Sequence, residues 1–134
     1  MKNNTLKTNL GKRFLAGLID YSVIFTFFYV FVYSVNGILA LVPVLFWFAF
    51  TVLLELLFDA TLGNSIMGLK PKSLIKNNGE LSFSQSLKRH LLDPIDMFPF
   101  GLIGIMTLKN TDRNQRLGDI WAKTIVIDNK DYQS

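Results

Sequence analysis

Cysteine is absent from this chain, which excludes disulfides, thiolate metal sites and cysteine nucleophiles. Histidine occurs once, at His90. On a basic amphipathic stretch, a lone histidine reads as a surface residue and not as a general base. Charge is also missing over long distances: residues 14–35 carry only Asp20, and residues 38–58 only Glu55. No Lys or Arg separates those two runs, and no small-x-small cleavage site follows the first. The basic lead 1–13 therefore does not introduce a removable signal, whose apolar core is about 7–15 residues long. Gly63 and Gly68 lack the Lys-Ser/Thr pair that a phosphate-binding loop requires. These absences leave no expectation of an enzyme, a metal centre or a cofactor.

Half of the 134 residues are apolar, gathered in runs that alternate with short basic stretches. That is the profile of an all-α membrane protein forming a single domain, 1–134. Spans at about 14–35 and 38–58 are joined through Asn36-Gly37, a tight-turn dipeptide, and so form an antiparallel hairpin. Lys2, Lys7, Lys12 and Arg13 precede the first span, and Lys70, Lys72 and Lys76 follow the second. By the positive-inside rule both termini lie in the cytoplasm, with the chain in the cell membrane. The net charge of +4 is assigned to topology and anionic lipid, with no nucleic-acid partner. Phe25, Phe27, Phe28, Tyr29, Phe31, Tyr33, Phe46, Trp47, Phe48 and Phe50 read as lipid-facing and packing surface.

Asp20 is the anomaly. A carboxylate at membrane depth costs about 2.5–3.5 kcal/mol even on the gentler scales, so it has a partner or a task. Arg13 lies nearly two turns earlier on the same helix face, about 10 Å away. Ala16 and Gly17, between them, allow another helix to approach closely. Counting outward from the turn sets Asp20 level with Glu55, and Arg13 level with Asp59. Arg13 is thus expected to bridge to Asp59 or Glu55. Asp20 and Glu55 would then need a proton, Na⁺ or a basic side chain between them.

In the cytoplasmic segment 59–93, residues 69–75, Asn77-Asn78-Gly79 and 80–83 read as strand, turn and return. Pro71 restricts the first strand to an edge, and the β-branched run 124–127 is a further candidate to pair with it. Ser82 or Ser84 is expected to cap a helix over 85–93, with Leu87, Leu91 and Leu92 at helical spacing. Lys88, Arg89 and His90 then make it a basic amphipathic helix for the headgroup layer. Asp93 and Asp96 are assigned to capping or headgroup contact. The apolar stretch 94–108 is short for a span and is broken by Asp96, Pro99, Gly101 and Gly104. It either re-enters from the cytoplasmic side or forms a tilted helix starting near Arg89. In the cytoplasmic tail 109–134, Arg113 and Arg116 join Lys88 as headgroup or anion contacts.

Several blocks together carry a family pattern. The opening Arg13-Phe-Leu-Ala16-Gly-Leu-Ile-Asp20 resembles the first-helix signature of the RDD family, small multi-pass bacterial membrane proteins named for one arginine and two aspartates. The likeness continues through Thr61-Leu-Gly63, Met67-Gly68-Leu69-Lys70, Glu80-Leu-Ser-Phe83 and Leu87-Lys88-Arg89. It ends with Gln115-Arg116-Leu117-Gly118-Asp119 and Ala122-Lys123-Thr124-Ile125-Val126. The resemblance implies that Arg13 is the family's arginine and Asp20 its first aspartate. Asp119 is favoured as the second, with Asp59, Asp93 and Asp96 open on chemical grounds. The Thr-Pro-Gly-Lys turn frequent in the family reads Thr61-Leu62-Gly63-Asn64 here, which weakens an anion-binding role for that loop.

The family brings no settled activity, although transport has been suggested for it. Two functions follow. One is a structural or accessory membrane module held by Arg13, Asp20 and Asp119, with Glu55, Asp59, Arg89, Asp93 and Asp96 as further ion-pair partners. The other is a cation, proton or small-solute transporter with Asp20 and Glu55 as the ion site. Two or three segments enclose no pathway, so either function calls for a homo-oligomer or a membrane-protein partner.

Overall fold

A computed structural model describes residues 8–34, 41–96 and 102–132. The expected Asn36-Gly37 turn, Lys2, Lys7, Pro99 and Gly101 lie outside the described residues. The fold is mostly helical, with one two-stranded sheet. Helix α1, Leu10–Ser34, begins ahead of the apolar run because the Asn9 side chain accepts the backbone N–H groups of Gly11 (2.8 Å) and Lys12 (3.3 Å). The second apolar run is continuous: α2 (Leu41–Phe48), a π-helical turn (Ala49–Leu53) and α3 (Leu54–Phe58). Two stretches, Leu10–Tyr33 and Leu41–Phe58, are long and apolar enough to cross a membrane. They meet through stacked Phe27 and Phe46, whose centroids lie 3.9 Å apart, and through Trp47 Nε1 and the Tyr21 hydroxyl at 3.5 Å. Phe25, Phe28, Tyr29 and Tyr33 face outward.

After Asp59, which ends α3 in the left-handed conformation, the chain turns back through α4, Leu62–Ile66. Strand β1, Leu69–Ser73, pairs antiparallel with β2, Thr124–Asp128, setting Pro71 opposite Val126. The expected return strand at 80–83 does not form. The buried β-branched residues of β2 take the edge of β1 instead. Ser82 accepts the N–H of Gln85, whose side chain reaches back to the Ser82 N–H, so the chain enters helix at Phe83. A small apolar core of Ala16, Leu69 and Val126 joins α1 to the sheet.

Helix α5, Phe83–Leu91, packs along α8, Leu117–Ala122. Between them lie α6, Asp93–Asp96, and α7, Leu102–Asn110. A Cβ added at Gly104 would sit 2.9 Å from the Asp96 carbonyl oxygen. One continuous helix would separate those residues by about 12 Å along its axis. Asp96 and Gly104 therefore do not lie on one continuous helix, and the tilted helix from Arg89 is corrected to the short helices α6 and α7 among the described residues. A short helix, α9 (Asn129–Tyr132), follows β2.

Two glycines set the closest backbone approaches. A Cβ at Gly63 would overlap the Ala16 carbonyl, and one at Gly118 would overlap the Arg89 carbonyl. Backbone cannot swing aside as a side chain can. Gly63→Ala and Gly118→Ala are therefore expected to abolish the monodisperse folded protein in detergent. Gly11→Ala, whose Cβ meets only the Asn9 side chain, should leave it intact. Equal elution profiles for all three would refute these contacts.

Candidate functional site

The charged residues converge where α1, α3, α5 and α8 meet. Asp119, in the first turn of α8, stands between two arginines and is almost wholly buried with them. Arg13 Nη2 from α1 donates to Asp119 Oδ2, and Arg89 Nε from α5 donates to Oδ1 at 2.8 Å. Arg89 reaches on through Nη1 to Glu55 of α3. The Ser86 hydroxyl, one turn before Arg89, donates to the other Glu55 oxygen at 2.6 Å. His90 closes the chain: its Nδ1 lies 2.6 Å from Asp93 Oδ2 and its Nε2 3.3 Å from Glu55 Oε2. With His90 protonated, Arg13, Arg89 and His90 balance Asp119, Glu55 and Asp93. Arg116 Nη2 caps the arrangement by donating to the Arg13 carbonyl at 2.7 Å, and the Arg116 N–H bonds Asp119 Oδ2 at 3.1 Å.

Electrostatics follow from that geometry. Burial alone would push the Asp119 carboxyl up, but Arg13 and Arg89 outweigh it and hold Asp119 well below the usual carboxylate range. Burial likewise opposes charge on Arg89, and Glu55 and Asp119 overcome it. For His90, Glu55 and Asp93 outweigh desolvation and raise the imidazole to about 10.

Asp20 belongs to a separate cluster. Its Oδ2 accepts the Thr61 hydroxyl at 2.6 Å, and its Oδ1 accepts the Gly63 N–H at 2.7 Å. The turn Thr61-Leu62-Gly63-Asn64 holds a carboxyl group supplied by the protein itself. Thr61 also caps α4 by accepting the N–H of Asn64.

These contacts correct several expectations. Arg13 bridges to Asp119 and not to Asp59 or Glu55, because α5 and α8 insert between the start of α1 and the end of α3. Asp59 is largely exposed and pairs with Lys70 at 3.0 Å. Asp20 and Glu55 do not form a carboxylate pair, since each has its own donors. Arg89 and His90 point inward, not into a headgroup layer, and Asp93 is buried against His90. Arg116 is engaged with α1; Arg113 is exposed, and Lys88 lies over the Trp121 ring at 5.6 Å. Asp96 is buried, and neither of its carboxylate oxygens has a hydrogen-bond partner among the described residues. Sequence reasoning passed over Ser86 and Gln85, which donates to the Ser73 hydroxyl (2.9 Å) and the Ala122 carbonyl (3.0 Å). Their place opposite the exposed Leu91 on α5 was the available signal.

A family model described as the RDD family matches residues 7–123. The chain belongs to the RDD family. No curated protein and no solved structure matches it. Arg13, Asp20 and Asp119 of this RDD protein are therefore described by their contacts here: one arginine–aspartate bridge between the chain's two ends, and one aspartate on a helix start.

Removing one member of a buried ion network leaves an uncompensated charge, at about 3–5 kcal/mol. Asp119→Asn is expected to lose that much in denaturant unfolding, whereas Asp96→Asn, which breaks no ion pair among the described residues, should lose little. The reverse ranking would sink this account of the network. The His90 pKa is raised on folding, so its contribution is complete below about 6.5 and is lost as pH climbs through about 10. The melting temperature should fall over that interval in the native protein, and His90→Gln should flatten the fall.

Proposed function

We propose that this RDD protein is an integral, multi-pass protein of the cell membrane with both termini in the cytoplasm. In this reading it serves as a structural or accessory module, assembling with a membrane-protein partner or a second copy and having no catalysis of its own. The observation that carries the proposal is the closed charge account of Arg13, Asp119, Arg89, Glu55, His90 and Asp93. Fixed side chains already hold Glu55, Asp93 and Asp119. Asp20, the other candidate ligand, is satisfied by Thr61 and Gly63. Networks of this kind can specify one arrangement of helices without adding net stability. The orientation rests on Lys12 and Arg13 before or within the first turn of α1, and on Lys70, Lys72 and Lys76 after α3.

A transport function would require Asp20 or Glu55 to give up its present donors for an ion. Purified protein in liposomes bearing a pH gradient tests this. Addition of Na⁺, Li⁺ or K⁺ should leave the gradient unchanged, while chemical cross-linking in native membranes should trap the protein with itself or with a partner. A cation-dependent collapse of the gradient that disappears in Asp20→Asn would reject the accessory reading.

A further inference from the structure

Helices α5 and α8 are built inside out. On α5 the polar residues Gln85, Ser86, Arg89 and His90 are buried, while Leu91 is 47% and Phe83 52% exposed. On α8, Gly118, Asp119 and Ala122 face inward, while Ile120 is 45% and Trp121 49% exposed. A water-facing helix pair shows the opposite pattern, because burying ions and exposing leucine, isoleucine and tryptophan both cost free energy. In lipid the pattern is favourable: ionisable groups turn to the protein interior and apolar side chains turn out.

The two outward faces are neighbours. Lys88 lies over the Trp121 ring at 5.6 Å, Leu91 is one helical turn beyond Lys88, and Ile120 adjoins Trp121. The depth is set by what the pair touches. Ser86 and Arg89 bond Glu55, and the Ser86 hydroxyl also lies 3.5 Å from the Val52 carbonyl. Both residues belong to the second membrane-length stretch, Leu41–Phe58. Neither α5 nor α8 has an exposed acid: Asp119 is their single carboxylate, and it is buried. Lys88 and the exposed Lys123 that ends α8 are the charges at the edge of this facet.

We infer that the facet of Lys88, Leu91, Ile120 and Trp121 is a lipid-binding surface embedded in the cytoplasmic leaflet, where Lys88 and the Trp121 indole N–H engage the headgroup phosphate of an anionic phospholipid. Leu91 and Ile120 lie against the upper acyl chains. Tryptophan favours this boundary because one part of its ring is apolar and its N–H needs a polar partner. A lysine beside it gains from negative lipid. The inference rests on the membrane reading above and extends it to a region that the chain's hydropathy does not mark.

The chain has two tryptophans, so Trp47→Phe leaves Trp121 as its sole indole reporter. The full-length variant is reconstituted in vesicles of phosphatidylcholine alone, or of equal parts phosphatidylcholine and phosphatidylglycerol. Trp121 should lose most of its emission to lipids brominated near the glycerol end of the chains and little to aqueous iodide. Phosphatidylglycerol should shift its emission to the blue, and Lys88→Gln should remove that shift. Should Trp47→Phe not fold, the difference between native protein and Trp121→Phe supplies the same signal. Quenching by iodide alone, or by neither agent, would overturn the proposal in favour of water or a protein cover. Equal spectra in both lipids would overturn the anionic-headgroup assignment. A reporter on α1, Phe25→Trp in a Trp47→Phe/Trp121→Phe background, separates the two levels. If brominated lipid quenches it but not Trp121, only the facet is wrong; if it quenches neither, the membrane reading itself fails.

Discussion

A carboxylate held between two arginines is the constraint on which the rest of the structure depends. Asp119 needs Arg13 from the start of the chain and Arg89 from its middle, and none of the three tolerates burial alone. Satisfying it brings α1, α5 and α8 together. The Arg89 link to Glu55 then ties that group to the second apolar stretch. The sheet follows from the same closure. Once α8 is docked, Lys123 turns the chain in the left-handed conformation and delivers β2 to β1. Further ties draw the N-terminal lead onto the same strand: Thr8 bonds the Val126 carbonyl, and Lys12 pairs with Asp128.

The network's value lies in uniqueness more than in strength. Each pair recovers by Coulomb attraction much of what desolvation cost, leaving little or no net gain. A rearranged packing, however, strands at least one charge, and that is expensive at low dielectric. The two closest backbone approaches, at Gly63 and Gly118, coincide with the two aspartate clusters. Small residues there let the donors reach their acceptors, so close packing and charge pairing are one requirement and not two.

Legibility differed by element. The apolar runs, a serine cap on α5 (Ser82 or Ser84) and the importance of Arg13 and Asp20 were readable, because length, capping chemistry and charge in or beside an apolar run are local signals. Asp119 was reached only through the family resemblance. The partner of Arg13 was not readable. Depth counting across a hairpin weighs only the two helices it joins, and it cannot register a third element wedged between their ends. The same limitation hid Gln85, Ser86 and His90, whose inward orientation depends on acids contributed by α3, α6 and α8. Helical spacing identified an amphipathic α5 but not which of its faces turns inward. That choice is set by where the acids of α3, α6 and α8 lie, and the headgroup-layer expectation, which turned Arg89 and His90 outward, inverted it.

By itself, then, the sequence determined a chain of two membrane-length apolar helices, an RDD signature and an unusual demand for buried counter-charge. These depend on composition and spacing that any conformation retains. Only the tertiary structure decided who meets that demand. Asp119 neutralises Arg13 from 106 positions away, and the start of α4 receives Asp20. Both pairings are long-range, and their energy depends on burial and distances that exist only after the chain has folded.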